Sequence, residues 1–349
     1  MKKEHILVIR FSAMGDVAMM VPVVWSLAQQ YPHTRITVLS RSFARPLFEN
    51  LAPNVGFMEA DLKREYHGIK GLNALYRRLA AKQFTAIADL HNVLRSEYLR
   101  LRFHIGHYRV AHIDKHRKGR RNLTSATKKK LTPLPTSFHN YVDVFKRLGY
   151  PIDINFKSIF PAEGGDLSLL PTEMNAKPAD ETWIGIAPFA AHKGKIYPPH
   201  LMQKVIEQLL QQHPKTRIFL FGRGPQEDEL FPQWCQQMPA CCQVAQRVDT
   251  LQQELILMSH LNVMLSMDSA NMHLASLTGI PVVSIWGATH PYAGFLGWGQ
   301  SMDNVIQTDL ECRPCSIYGQ KPCMRNDYAC LYNIKPETIV TKINTLLLT

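Results

Sequence analysis

The sequence predicts an α/β protein with two doubly wound parallel sheets. Short apolar strands alternate with helical segments along the 349 residues, which is typical of βαβ units. A stretch rich in Pro and Gly at residues 150–171 separates two such series, and the length suffices for two hydrophobic cores. We therefore expect an N-terminal domain of residues 1–160 and a C-terminal domain of 161–349, with the last helix free to pack back on the first domain.

The first series begins with the apolar run Ile6–Phe11, a turn at residues 12–15 and a helix from Asp16 to Gln30. The pattern then predicts a second helix at 72–82 and further strands at Arg35–Ser40, 56–59 and 85–90. Each strand is only a few residues long and is followed by turn or helical sequence. Short strands that alternate with helices in this way are typical of βαβ units, which form a parallel sheet.

The second series predicts strands at 183–187, 217–221, 262–266 and Val282–Trp286. Helices are predicted at Pro199–Gln212, 269–277 and 335–348. Because ligands of parallel α/β sheets bind at the carboxyl ends of the strands, we expect the ligand cleft to lie between the two domains.

The charge is distributed unevenly along the chain. Residues 1–150 carry 26 Lys/Arg and 10 Asp/Glu, whereas residues 151–349 carry 14 and 18. The densest basic stretch, residues 95–130, is either a solvated face or a surface for phosphates and carboxylates. The candidates for binding an anion there are Arg120, Arg121, Lys128, Lys129 and Lys130. No zinc-finger or RNP signature accompanies them, so nucleic acid is not an expected partner.

Apolar patterning excludes a membrane span. The longest apolar stretch near the start, residues 17–28, is shorter than the roughly 20 residues that a spanning helix needs. The apolar run at residues 6–9 is also too short for a signal peptide. We therefore expect a cytoplasmic protein.

Seven cysteines occur, and none precedes Cys235. Cys312, Cys315, Cys323 and Cys330 offer four thiolates that a tetrahedral zinc ion can use. The uneven spacing and the odd total instead favour reduced, structural thiols. We expect no metal and no cofactor.

Three common classes of nucleotide-dependent enzyme are disfavoured by missing motifs. The turn after the first strand, Ser12–Asp16, lacks the G-x-G-x-x-G pattern, and Gly222-Arg223-Gly224 has Glu227 in place of the third glycine. The chain contains neither a Walker A sequence nor a D-x-D pair. Dinucleotide oxidoreduction, P-loop chemistry and metal-bridged sugar transfer are therefore disfavoured.

The candidate catalytic and binding residues follow predicted strands. Asp16 lies at the first strand–helix turn, where it either caps the helix or acts as a general base. Lys195 lies in a loop after a strand, where it either stabilises a leaving diphosphate or is simply solvated. Glu227 is either a ribose ligand or an acidic residue of a first helical turn.

A second strand–helix junction spans residues 266–273. Its free N–H groups suit a diphosphate, and Asp268 is expected to cap the helix and order the loop. His273 is either a packed core residue or a ligand contact. These alternatives stay open on residue patterns alone.

Taken in order, the longer segments resemble one family. They are ILVIRFSAMGDVAMMVPVV at 6–24, KIYPPHLMQKVIEQL at 195–209, LFGRGP at 220–225, SMDSANMHLASLTGIPVVSIWGATHP at 266–291 and the Cys-rich segment 312–339. They are similar to the heptosyltransferases of lipopolysaccharide core assembly, glycosyltransferase family 9, over nearly the whole chain. The resemblance implies a GT-B fold of two Rossmann-like domains facing across a cleft, and metal-independent, inverting transfer from ADP-heptose.

The resemblance also implies residue roles. It makes Asp16 the catalytic base, Lys195 a contact to donor phosphate, Glu227 a ribose contact, and Asp268, Ser269 and His273 parts of the donor loop. Ala270 replaces a common glycine and Ala190–Ala191 replace hydroxyl residues, so the donor stays open. A UDP-N-acetylhexosamine transferase and a non-catalytic anion-binding relative are the alternatives.

The implied acceptor is a lipopolysaccharide precursor with carboxylates and phosphates. Such a precursor matches the basic stretch of the N-terminal half. Because the precursor is anchored at the inner membrane, we expect peripheral contact with that membrane through charge.

Overall fold

A computed structural model describes residues 4–348, and within them the chain forms two compact units. The first unit runs to His116 and resumes over Pro135–Phe156. The second comprises Arg117–Leu134 and the chain from Lys157 onward. The division thus differs from a single boundary after residue 160, because residues 117–134 pack with the second unit.

The first unit is built on a five-stranded parallel sheet with the order β3-β2-β1-β4-β5. Its strands are β1 (His5–Ile9), β2 (Arg35–Ser40), β3 (Val55–Glu59), β4 (Ala86–Asp89) and β5 (Arg109–His112). Val8 of the central strand pairs with Val38 on one side and Ala88 on the other. Helices cover both faces, which explains the continuous apolar runs of the inner strands.

Seven helices lie between Met14 and Arg147. They are α1 (Met14–Ala18), α2 (Val21–Gln30), α3 (Arg45–Phe48), α4 (Gly68–Ala80), α5 (Leu94–Ile105), α6 (Arg117–Leu123) and α7 (Ser137–Arg147). Of these, α6 belongs to the second unit. The helix predicted from Asp16 to Gln30 is two helices, and Pro22 occupies the first turn of α2, where its missing N–H is tolerated.

The second unit contains a six-stranded parallel sheet with the order β11-β10-β9-β6-β7-β8. Its strands are β6 (Thr182–Ala187), β7 (Thr216–Leu220), β8 (Cys241–Gln243), β9 (Val263–Met267), β10 (Val282–Trp286) and β11 (Val305–Gln307). Its further helices are α8 (Pro199–Gln212), α9 (Pro225–Gln237), α10 (Leu251–Ser259), α11 (Ala270–Ser276), α12 (Ala329–Tyr332) and α13 (Pro336–Leu347).

The last helix, α13, packs within the second unit. Ile339, Val340 and Ile343 belong to the same buried cluster as Val205 and Leu209 of α8. This burial of apolar area attaches α13 to the second unit.

Three contacts attach the segment 117–134 to the second unit. The Leu134 N–H donates to the Tyr292 carbonyl (2.9 Å), Arg120 donates to the Tyr318 hydroxyl (2.6 Å), and the Lys129 ammonium donates to the Pro314 carbonyl (3.1 Å).

None of the helices described between residues 4 and 348 combines the length and apolar character needed to cross a membrane.

Candidate active site

Asp16 lies in the first turn of α1, directly after the turn that follows β1. Its carboxylate accepts a hydrogen bond from the Ala13 N–H (3.2 Å) and forms an ion pair with Arg10 (Nη2–Oδ1 2.9 Å). The Arg10 side chain is 8% exposed, whereas that of Asp16 is 28% exposed. Asp16 therefore caps the helix and still presents its carboxylate to solvent, so the two interpretations of this residue are compatible.

Arg10 is held on several sides. Its guanidinium donates to the Leu90 carbonyl beyond β4 and lies 5.8 Å from the centre of the Tyr141 ring. The Tyr141 hydroxyl in turn donates to the Asp16 carbonyl (3.2 Å). Neither Arg10 nor Tyr141 was among the site residues predicted from the sequence, although Arg10 lies within the segment 6–24. This arrangement balances the charge of the Asp16 carboxylate and fixes its orientation.

His91 follows β4 and lies beside the turn after β1. Its Nδ1 accepts a hydrogen bond from the Phe11 N–H (3.3 Å), and its Nε2 lies 3.4 Å from the Ser12 hydroxyl. Burial, reinforced by the charge of Arg10, lowers the pKa of His91 to about 3. The imidazole is therefore neutral at physiological pH, and it adds no positive charge next to Asp16.

In the second unit, the structure brings Lys195 and Asp268 together. The Lys195 ammonium lies 3.0 Å from Oδ2 of Asp268, and both side chains are largely buried. The Thr289 hydroxyl donates to the same oxygen (2.8 Å). Asp268 follows β9 and Thr289 follows the neighbouring β10, so the adjacency of the two strands places these side chains in contact. The result is an ammonium group oriented by a buried carboxylate.

The other predicted donor residues are placed separately. Ser269 precedes α11, with its hydroxyl 3.2 Å from that of Ser266, and His273 is buried one turn into α11. Glu227 lies in the first turn of α9, where its carboxylate packs against Gly222 and Gly224. A Cβ on either glycine would come within 2.9 Å of Glu227. Gly222 also has φ +147°, a conformation that favours glycine, so this position has a structural reason for glycine without a dinucleotide.

Arg313 is a buried cation that sequence analysis did not single out. Its guanidinium donates at 2.5–3.0 Å to the Gln307 side chain and to four carbonyls, those of Trp286, Gly287, Thr289 and Thr308. These acceptors lie at or just beyond the ends of β10 and β11. Carbonyls there have no partner in the sheet, and Arg313 supplies the donors that they need. Burial lowers the pKa of Arg313. Arg313 thereby holds the backbone of Thr289, whose hydroxyl contacts Asp268.

The Cys-rich segment packs beneath the Lys195 loop. Gly319 has φ +80° and lies so near that a Cβ there would approach Cγ of Lys195 to 2.5 Å. All seven cysteines are free thiols, and burial raises the pKa of Cys330 to about 11. Across residues 4–348, no three His, Cys, Asp or Glu side chains are grouped so as to hold a metal ion. In this conformation the segment serves as a support for Lys195.

The five basic acceptor candidates separate into two sets. Arg120 donates to the Tyr318 hydroxyl, with its guanidinium 5.2 Å from the Phe295 ring centre, and Lys129 donates to the Pro314 carbonyl. Burial lowers the pKa of Lys129. Arg121, Lys128 and Lys130 are exposed. The first set attaches the segment to the second unit, and the second set is accessible to a ligand.

The chain is similar to known glycosyltransferases. The family described as Glycosyltransferase family 9 (heptosyltransferase) matches residues 72–323. Lipooligosaccharide heptosyltransferase 2 of Campylobacter jejuni is 26% identical over 171 residues, which are 47% of this chain and 51% of that protein, so the chain spans about half the length of this relative. Lipooligosaccharide heptosyltransferase 2 of Haemophilus influenzae is 23% identical over 358 aligned residues, covering 98% of this chain and 99% of that protein.

Two solved structures share the fold over nearly the whole chain. A glycosyl transferase of family 9 from Veillonella parvula has a TM-score of 0.73 at 18% identity, covering 100% of this chain and 98% of its own. The heptosyltransferase WaaC of E. coli, solved with ADP, has a TM-score of 0.68 at 16% identity, covering 98% and 99%. The fold, two Rossmann-like units with parallel sheets, is that of the GT-B heptosyltransferases.

Proposed function

Because the chain belongs to glycosyltransferase family 9, the heptosyltransferase family, we propose that it transfers a heptose from ADP-heptose to an acceptor sugar of the lipopolysaccharide inner core. The observation that carries this proposal is the placement of the Asp16 carboxylate. Its carboxylate is fixed by Arg10 and by the Ala13 N–H, yet it is 28% exposed. A carboxylate held in this way can take a proton from a substrate hydroxyl.

In the proposed mechanism, Asp16 accepts the proton of an acceptor hydroxyl as the hydroxyl oxygen attacks the anomeric carbon. The attack comes from the face opposite the nucleotide, so the configuration inverts. A positioned general base contributes roughly 10²–10⁴-fold to the rate. Because His91 is neutral, Arg10 is the cation that the structure pairs with the Asp16 carboxylate.

The donor diphosphate is assigned to Lys195. As the bond to the sugar breaks, negative charge develops on the departing diphosphate, and an oriented ammonium stabilises that charge without a metal ion. The ion pair with Asp268 orients Lys195, and Thr289 orients Asp268. Ser269, His273 and Glu227 complete the proposed donor site. The ADP bound in the related E. coli structure supports an adenine nucleotide.

The acceptor is assigned to the exposed cations of the segment 117–134. Arg121, Lys128 and Lys130 are accessible and are held on the second unit by Arg120 and Lys129. Carboxylates and phosphates of a lipopolysaccharide precursor match these charges. We place the enzyme on the cytoplasmic side, in peripheral contact with the inner membrane.

The test of the proposed function compares nucleotides and donors on the full chain. ADP should raise the melting temperature once its concentration exceeds its dissociation constant, whereas UDP at the same concentration should raise it little. Transfer from ADP-heptose to heptose-deficient core acceptor should be seen by mass spectrometry. Selective stabilisation by UDP favours the UDP-N-acetylhexosamine alternative. Binding of the acceptor without turnover of any donor favours a non-catalytic relative.

We predict that the triple variant Arg121→Glu, Lys128→Glu, Lys130→Glu raises the KM for acceptor and flattens its dependence on salt. Exposed charges act weakly one at a time and are screened within about 8–10 Å at physiological salt, so only the combined change should be clear. The KM for donor should change little. Steady-state kinetics at low and high salt measure both constants.

The matched control is Lys157→Glu, Lys204→Glu, Lys321→Glu, which makes the same change in net charge at exposed lysines of the second unit outside the segment. Lys129 is left intact because its loss would break the Pro314 contact. An equal rise of the acceptor KM in both triple variants would show a general charge effect and remove the acceptor assignment.

A further inference from the structure

The outer face of α5 exposes an apolar stripe. Leu94, Leu101 and Ile105 are 56–85% exposed, and their spacing of seven and four residues puts them on one side of the helix. Leu99 and Phe103, on the opposite side, are fully buried in the core of the first unit. Three large apolar side chains in a row on a solvated face mark an interaction site.

The neighbouring helix α4 adds positive charge. Lys70 and Arg77 of α4 and Arg102 of α5 line a cavity of 350 Å³ together with Asn73. Arg102 donates to Oδ1 of Asn73 and lies 4.5 Å from the Tyr76 ring centre, and the same Oδ1 accepts from the Tyr98 hydroxyl (2.7 Å). The guanidinium is therefore held in place before any anion arrives. A phosphate group is the ligand that such a cavity suits.

Together the two helices carry six Lys/Arg and one Glu. From this juxtaposition we propose that the α4–α5 face, defined as Leu94, Leu101, Ile105, Lys70, Arg77 and Arg102, docks on an anionic lipid bilayer, with a headgroup phosphate in the cavity. Peripheral membrane binding combines two contributions. Apolar side chains enter the membrane interface, and neighbouring cations contact the anionic headgroups. A second copy of this chain is disfavoured as the occupant, because it would bring like charges together.

This inference deepens the proposed function, since it rests on a membrane-anchored acceptor, and it names the surface that meets the membrane. That surface belongs to the first unit, whereas the basic segment 117–134 belongs to the second. The two basic regions can therefore be separated by mutation. The segment is proposed to bind acceptor and the α4–α5 face to bind lipid.

The experiment measures partitioning of the full chain onto vesicles by sedimentation. The vesicles are phosphatidylcholine alone or phosphatidylcholine mixed with phosphatidylglycerol. The wild type should bind the mixed vesicles. Lys70→Ala, Arg77→Ala should weaken that binding about 25-fold, because each basic residue near an anionic surface contributes about fivefold. Leu101→Asn, Ile105→Asn should weaken it about tenfold or more, because the apolar anchors are lost.

Matched controls come from the second unit. Leu169→Asn, Met302→Asn removes two exposed apolar side chains, and Lys204→Ala, Lys321→Ala removes two exposed cations outside the segment 117–134. Both controls should bind mixed vesicles within twofold of the wild type. Melting temperatures of all variants should match, since every changed side chain is exposed.

Three results would overturn the proposal. They are a wild type that ignores mixed vesicles, α4–α5 variants that bind like the wild type, and a self-association in solution that the Leu101→Asn, Ile105→Asn variant abolishes. Transfer to a lipid-free core oligosaccharide is measured in parallel and should be equal in the wild type and these variants. Failure of that transfer counts against the proposed function, whereas vesicle binding tests the docking face by itself.

Discussion

Replacing Asp16 with Asn should lower kcat for heptosyl transfer by about 100-fold or more, because an amide cannot accept the proton of the attacking hydroxyl. The dissociation constant for ADP should stay near that of the wild type, since the proposed donor contacts lie in the second unit. Asn keeps an oxygen that can accept the Ala13 N–H, so the helix keeps its cap. Pre-steady-state kinetics and ADP titration on one preparation measure both quantities.

The Arg10 ion pair makes a control necessary. Asp16→Asn also removes the partner of an almost buried guanidinium, which we expect to lower the free energy of unfolding by about 1–2 kcal/mol, less than for a fully buried pair. Arg10→Gln breaks the same pair and retains the carboxylate. Asp16→Asn should therefore be at least about tenfold slower than Arg10→Gln. Equal rates in the two variants would assign Asp16 a structural role only.

The parallel sheets could be predicted from sequence because both of their faces are covered. A strand such as Val263–Met267 has every residue buried, so it reads as a continuous apolar run bounded by polar residues. Arg109–His112 escaped prediction for the opposite reason. It is the edge strand of its sheet, and both of its terminal residues are exposed. Its mixture of exposed and buried residues leaves no apolar run by which to recognise it.

The site could be predicted only as far as single residues. Asp16, Lys195 and Asp268 follow strands or open helices, and this local pattern is visible in the sequence. Their partners are not. Arg10 reaches Leu90 because β1 pairs with β4, and Thr289 reaches Asp268 because β10 pairs with β9. Strand order is set by packing across the whole sheet, so no local pattern could indicate those contacts.

The placement of the basic segment shows a related limit. Composition groups residues 95–130 as one positive stretch, but the chain passes from one unit to the other at His116–Arg117. What holds 117–134 to the second unit is specific, namely the Arg120–Tyr318 hydrogen bond and the Lys129–Pro314 contact. A charge count treats every cation alike, whereas the structure separates those engaged in packing from those left exposed.

Replacing Lys195 with Met should lower kcat/KM for donor by about 10²–10³-fold, because the ammonium that balances the departing diphosphate is lost. The same change leaves the Asp268 carboxylate buried without its countercharge. We expect the free energy of unfolding to fall by about 3 kcal/mol as a result. The melting temperature and kcat/KM should therefore both fall. Neither measurement alone shows whether Lys195 contacts the donor phosphate or only neutralises the buried Asp268.

The double variant Lys195→Met, Asp268→Asn separates them. It removes both charges and keeps an oxygen at position 268 for the Thr289 hydroxyl, so most of the lost stability should return. Activity should remain about 10²-fold or more below the wild type, since no cation faces the phosphate. Asp268→Asn alone keeps Lys195 and should retain most of its affinity for ADP. If the double variant recovers activity together with stability, Lys195 serves only to neutralise Asp268, and the stabilisation of the leaving diphosphate must come from another group.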